Sequence, residues 1–132
     1  MSGRTAYLDP SAFVKLVVAE PESTALARFL RRWPARASAT LLRAEALRAL
    51  GRLGPARAGA ARQLLGGLHL IAVDDALLDR AGDLHPWTLR PADAVHLAAA
   101  LSLGSDLGVV VTYDQHLADA ARVQGLDVAA PA

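Results

Sequence analysis

Four carboxylates stand out by where the sequence puts them. Asp9 closes the apolar run Tyr7-Leu8 and is followed by Pro10-Ser11 and a second apolar run, so it sits where a strand gives way to a helix. Asp114 follows the β-branched run Val109-Val110-Val111-Thr112 in the same way. Asp93 lies in the first turn of a helix opened by Pro91, within Ala92-Asp93-Ala94-Val95-His96-Leu97-Ala98. Glu45 lies inside the mostly apolar Leu41-Leu42-Arg43-Ala44-Glu45-Ala46-Leu47 and is the only acid between Ser23 and Val73. Acids within apolar segments are seldom buried unless they are paired or bind a metal. Ligands of an open α/β sheet bind beyond the carboxyl ends of its strands, where Asp9 and Asp114 would stand. Each acid also has a simpler reading. Asp9 and Asp114 suit helix N-caps, Asp93 complements a helix dipole, and Glu45 can pair with Arg48 or Arg52.

The elements that must position these acids follow from period and punctuation. Arg4 to Asp9 reads as a first strand, and Ser11 to Glu20 as a helix stopped by Pro21. Glu22 to Arg32 reads as a second helix, with Leu26, Phe29, Leu30 and Trp33 at helical spacing and Pro34 beyond it. Arg36 to Ala39 is a short strand. Ser38 or Thr40 then caps a long helix closing near Gly51 or Gly54. Pro55 to Leu65 is a fourth helix, Leu68 to Val73 a strand, and Asp74-Asp75 opens a short helix. A Pro-bearing loop from Gly82 to Arg90 precedes a helix over Ala92 to Leu103. Gly108 to Thr112 is the clearest strand, followed by a helix over Gln115 to Gln124 and a last strand over Leu126 to Ala130. Strands alternating with helices predict crossover connections and a mainly parallel sheet in a doubly wound α/β domain. At 132 residues the chain fits a single domain, residues 1–132.

Composition narrows the function classes. The absence of cysteine excludes disulfides and thiolate metal sites and suits a reducing, cytoplasmic address. No apolar run approaches the ~20 residues of a membrane helix, so no membrane association is expected. Hydrophobic residues make up 53%, and the mean hydropathy of +0.26 is high for a soluble monomer, which points to a covered surface. Ser23 to Val73 carries nine arginines against Glu45, whereas Asp74 onward carries nine aspartates against three arginines. That asymmetry fits a polyanion meeting the first half, or solvated helix faces. His96 follows Asp93 by three residues but sits in an apolar run and reads as a satisfied core residue, or one standing behind the ligands, rather than a ligand. His69, His85 and His116 have no partner at metal-ligand spacing, and Ser11 has no evident base.

Tyr7-Leu8-Asp9-Pro10-Ser11-Ala12, Glu45 in a helix after Ser38, Ala92-Asp93-Ala94-Val95-His96-Leu97-Ala98 and Val111-Thr112-Tyr113-Asp114-Gln115-His116-Leu117-Ala118 together resemble the PIN domain of VapC-type toxins over nearly the whole chain. The resemblance implies a three-layer α/β/α sandwich and a metal-dependent endoribonuclease that serves as the toxin of a type II toxin–antitoxin pair. Carried over by motif, the acidic quartet is Asp9, Glu45, Asp93 and Asp114, and Thr112 matches a polar position beside the site. Pro10 departs from the small residue common there. Hard carboxylate oxygens suit Mg²⁺, and Mn²⁺ as a substitute. Such an ion activates a water for in-line attack on phosphorus and neutralises the phosphodiester. The resemblance further implies an RNA substrate, a cognate VapB-type antitoxin and a homodimer, with no direct DNA binding by this chain. An apolar groove including Leu26, Phe29, Leu30, Leu42 and Leu47 is the expected antitoxin surface. The competing readings are an inactive PIN-like scaffold that binds RNA or protein, and a receiver-like phosphoacceptor, which Lys15, the only lysine, is badly placed to serve.

Overall fold

The computed structural model describes residues 3–132. Five strands, β1 (Thr5–Leu8), β2 (Ala35–Ala39), β3 (His69–Ile71), β4 (Leu107–Val111) and β5 (Val128–Ala129), form one sheet in the order β3-β2-β1-β4-β5. Every pairing is parallel. Among the described residues the α-helices are α1 (Pro10–Lys15), α2 (Ser23–Leu30), α3 (Leu41–Gly51), α4 (Pro55–Leu65), α5 (Asp75–Gly82), α6 (Pro91–Ser102) and α7 (Gln115–Val123). The three-layer α/β/α sandwich expected from the sequence is therefore present, with a sheet that is wholly rather than mainly parallel.

β1 is the central strand, and its alternation divides the core. Ala6 and Leu8 face Ala12, Leu26 and Leu30 of α1 and α2, together with Val109 and Val111. Tyr7 faces the opposite layer with Ala37, Ala39 and Val110, against Leu77 and Ala81 of α5 and Ala94, Val95, Ala98 and Ala99 of α6. A strand buried on both faces must be apolar at every position, which is why Ala6-Tyr7-Leu8 does not alternate. A third cluster joins Phe13 of α1 to Leu42, Ala46 and Leu50 of α3 and to Ala61 and Leu65 of α4. The chain leaves β1 toward β2 on one side and returns to β4 on the other, so the strand order reverses beside the carboxyl end of β1. Such a switch point opens a crevice between diverging loops.

The structure departs from the sequence reading at several places. α1 stops at Lys15 rather than reaching Glu20. Ser23 Oγ donates to Lys15 O at 2.7 Å and accepts from Glu20 N at 2.9 Å, which bends residues 16–22 into turns before α2. Neither Ser38 nor Thr40 caps α3 through its side chain. Thr40 Oγ1 instead accepts from Val73 N at 3.2 Å and ties down the loop after β3. Ser38 is buried in β2, and its Oγ has no hydrogen-bond partner among the described residues. The apolar groove expected among the first helices is not a surface. Leu26, Leu30 and Leu42 are at most 1% exposed and belong to two different core clusters, because α1 packs over both α2 and α3. Among the described residues no helix is long and apolar enough to cross a membrane.

Candidate active site

The carboxyl ends of β1 and β4 are stitched together by side chains. Asp9 follows β1, and its Oδ1 accepts from Ala12 N at 3.1 Å, so it does cap α1. The same oxygen accepts from Ser11 Oγ at 2.7 Å, and Oδ2 accepts from Thr112 Oγ1 at 2.7 Å. Thr112 Oγ1 in turn accepts from Asp114 N at 3.0 Å, and Ser11 Oγ accepts from Tyr113 N at 2.8 Å. Two hydroxyls thus hold both oxygens of Asp9 and fix the backbone that carries Asp114. Asp9 is only 2% exposed. Burial pushes its carboxyl above the usual carboxylate range, opposed by the hydrogen bonds from Ser11, Thr112 and Ala12.

Asp114 caps α7, its Oδ1 accepting from His116 N at 2.8 Å and Leu117 N at 3.2 Å. That leaves Oδ2 free to face inward, where it meets the Arg90 guanidinium at 3.2 Å. Arg90 also reaches Asp93 Oδ2 at 3.3 Å from the residue just before α6. Glu45 enters from the middle of α3. Its predicted partners, Arg48 on that helix and Arg52 just past its end, are exposed, and its Oε1 is bonded instead to His96 Nε2 at 2.6 Å. His96 Nδ1 stands 2.7 Å from the Tyr7 hydroxyl in the core.

Asp9, Glu45, Asp93 and Asp114 line one cavity of about 480 Å³ together with Pro10, Ser11, Arg90, Pro91 and Ala92. Helix capping and cavity lining are thus compatible roles for Asp9 and Asp114. Thr112 lies behind Asp9 as a bridge and does not line the cavity. Among the described residues no three acids or histidines are drawn within ligand distance of a common point. The cation present between two of the carboxylates is Arg90. A spacious ring of hard oxygen donors suits a divalent ion that retains several waters and uses few protein carboxylates, rather than a fully dehydrated one.

The model of the family described as PIN domain matches residues 6–123. The chain is 51% identical over 125 residues to Ribonuclease VapC46 of Mycobacterium tuberculosis H37Rv, covering 95% of this chain and 96% of that protein. It is 38% identical over 130 residues to Ribonuclease VapC47 of M. tuberculosis CDC 1551, with the same coverage. This chain belongs to the VapC family of PIN-domain proteins. Its fold also matches a chain in the crystal structure of VapBC2 from Rickettsia felis bound to a promoter DNA fragment, with a TM-score of 0.67 at 13% identity, over 95% of this chain and 97% of that one. Against this VapC framework, three contributors escaped the sequence reading. Arg90 counted there only as charge. Ser11 was weighed as a nucleophile, although a hydroxyl two residues after Asp is a common turn partner for it. Tyr7 figures in the sequence only as part of an apolar run, and nothing local links it to His96.

Proposed function

We propose that this chain is the toxin of a type II toxin–antitoxin pair, a Mg²⁺-dependent endoribonuclease whose ion is held by Asp9, Glu45, Asp93 and Asp114. The observation that carries the reading is the convergence of four acids, two from strand–helix junctions and two from helices α3 and α6, on one cavity beside the carboxyl ends of β1 and β4. The family membership gives that cavity its reaction class. A bound Mg²⁺ or Mn²⁺ supplies charge neutralisation and water activation at the phosphodiester.

The chain's own residues supply the rest. Ser11 and Thr112 hold Asp9 in one orientation, so its oxygens need no reorganisation when a cation arrives. Burial makes the ionised form of Asp9 costly without a positive neighbour, which favours occupation of the site. Arg90, 70% exposed at the cavity mouth, has the planar fork that matches a phosphate. Arg28, Arg31, Arg43, Arg48 and Arg52 are exposed on α2 and α3 and just past the end of each, and offer sequence-independent contacts to an RNA backbone, with strong salt dependence. Arg36 is withdrawn from that set because it donates to Leu30 O and Trp33 O. A VapB-type antitoxin and a second copy of the chain are the expected partners, in the cytoplasm. The solved relative is itself a VapBC assembly.

The test is incubation of antitoxin-free protein with structured RNA, with and without Mg²⁺ or Mn²⁺, beside Asp9→Asn. Cleavage that requires the metal and is lost in Asp9→Asn is expected. Cleavage that survives EDTA or the substitution overturns the mechanism, and no cleavage of any RNA favours the binding scaffold.

A further inference from the structure

Three residues from three elements form a hydrogen-bonded chain that runs from the core to the cavity: Tyr7 of β1, His96 of α6 and Glu45 of α3. His96 is 1% exposed and does not line the cavity, whereas Glu45 does. Both contacts are short, at 2.7 and 2.6 Å. A packing histidine needs neither.

Counting donors assigns the protons. Tyr7 carries one hydroxyl proton, and burial pushes its ionisation far above the ordinary range, so it stays a donor. Ser38 Oγ is near enough to act on Tyr7 but, among the described residues, meets no hydrogen-bond geometry with any group. The acceptor for the tyrosine proton is therefore His96 Nδ1. That makes Nδ1 the unprotonated nitrogen and leaves the imidazole proton on Nε2, where it donates to Glu45 Oε1. Only this neutral tautomer satisfies every donor in the chain. The opposite one would set a nitrogen lone pair against a carboxylate oxygen and strand the tyrosine proton in the core.

We propose that His96 is a positioning residue for Glu45, and that Tyr7, donating to its other nitrogen, holds the ring in the same tautomer. Glu45 projects from the middle of a helix on a flexible side chain. Binding Oε1 to a ring locked in the core presents Oε2 to the cavity in one orientation. The spacing of three residues places Asp93 and His96 on one side of α6, so a single helix supplies one cavity acid and fixes a second. This role rests on the metal-site reading above. Partners that orient a ligating group in this way are worth about 10–100-fold in metal affinity or activity.

The test has two arms, both on the full chain freed of any antitoxin. Two-bond ¹H–¹⁵N correlation spectra of the metal-free protein read the tautomer of His96, assigned by its absence from a His96→Gln sample. A neutral ring protonated on Nε2 is expected, and Tyr7→Phe, which leaves the Glu45 carboxylate facing Nε2, should keep the proton there while shifting the Nδ1 resonance. In the second arm, Mn²⁺ affinity is measured by electron paramagnetic resonance. His96→Met, with no donor, should lose about 10–100-fold, whereas His96→Gln, whose amide N–H reaches the Nε2 position, should stay within about tenfold of wild type. With RNA, the same order should appear in kcat and not in KM.

An Nδ1–H or doubly protonated ring in the wild type overturns the assignment. Wild-type Mn²⁺ affinity in a folded His96→Met, or equal losses in the Met and Gln variants at unchanged melting temperature, overturns the positioning role. If His96→Met does not fold, Tyr7→Phe and the wild-type spectrum still decide. A wild type that shows the expected tautomer and affinity order but cleaves no RNA refutes the nuclease reading alone.

Discussion

Arg90 offers a direct measure of how far the acidic cavity is preset for a cation. Its guanidinium contacts Asp93 at 3.3 Å and Asp114 at 3.2 Å, while its own side chain is 70% exposed and theirs are 13% and 22% exposed. An incoming divalent ion must share or displace those contacts. Ion pairs with one well-solvated partner contribute about 0.2–1 kcal/mol each, so the two together hold the site against an ion by at most about 2 kcal/mol. At 1.4 kcal/mol per tenfold, that ceiling is about 30-fold in affinity. Arg90→Ala should therefore tighten Mn²⁺ binding by roughly 2- to 30-fold in low salt, read by calorimetry or electron paramagnetic resonance. The gain should shrink toward 0.5 M KCl as the exposed contacts are screened. The melting temperature of the metal-free protein should move by only a few degrees, because about 1 kcal/mol corresponds to roughly 4 °C for a chain of this length. RNA cleavage at saturating metal should fall despite the tighter site, since the phosphate-matching fork is gone. Unchanged or weaker Mn²⁺ binding in Arg90→Ala would refute the competition, and so would a gain that ignores salt.

Asp9 carries a pH signature in the metal-free protein. Its carboxyl is raised in the folded state, so the native protein binds more protons than the unfolded chain above the ordinary carboxylate value of 3.8. Stability should fall as pH rises from that value through the raised one, and Asp9→Asn should flatten this limb of a melting-temperature profile while millimolar Mg²⁺ offsets it in the wild type only. Thr112→Val removes the donor to Asp9 Oδ2 and the acceptor for Asp114 N, and should cost about 1–3 kcal/mol in denaturant unfolding together with most of the activity. Gly108→Ala would drive a Cβ into the Trp33 ring and to 2.6 Å from Gly3 O, and should destabilise by about 1–3 kcal/mol without changing metal affinity.

Much of this protein was legible in local chemistry. The β-branched run before Asp114, the Pro91 helix start and the Gly66-Gly67 stop each act within a few residues, and β4, α4, α6 and α7 lie where those signals put them. The acids at the strand ends were recognisable for the same reason, because a carboxylate between an apolar run and a helix has few uses. The end of α1 was misjudged because Ser23, eight residues after Lys15, takes up its carbonyl. The amphipathic stripes of α2 and α3 marked buried faces but could not say what buried them. Leu26 and Leu42 face different clusters only because α1 lies between their helices.

Sequence alone determined which residues could serve a hard cation and which elements would carry them, since both depend on residue type and on periods of two and 3.6. The tertiary structure decided which of those residues meet. The reversal of strand order beside β1 brings Asp9 against Thr112, 103 positions away, and crossing helices bring Glu45 against His96, 51 positions away. Hydrogen bonds act over about 3 Å and are indifferent to separation along the chain, so no local pattern records them.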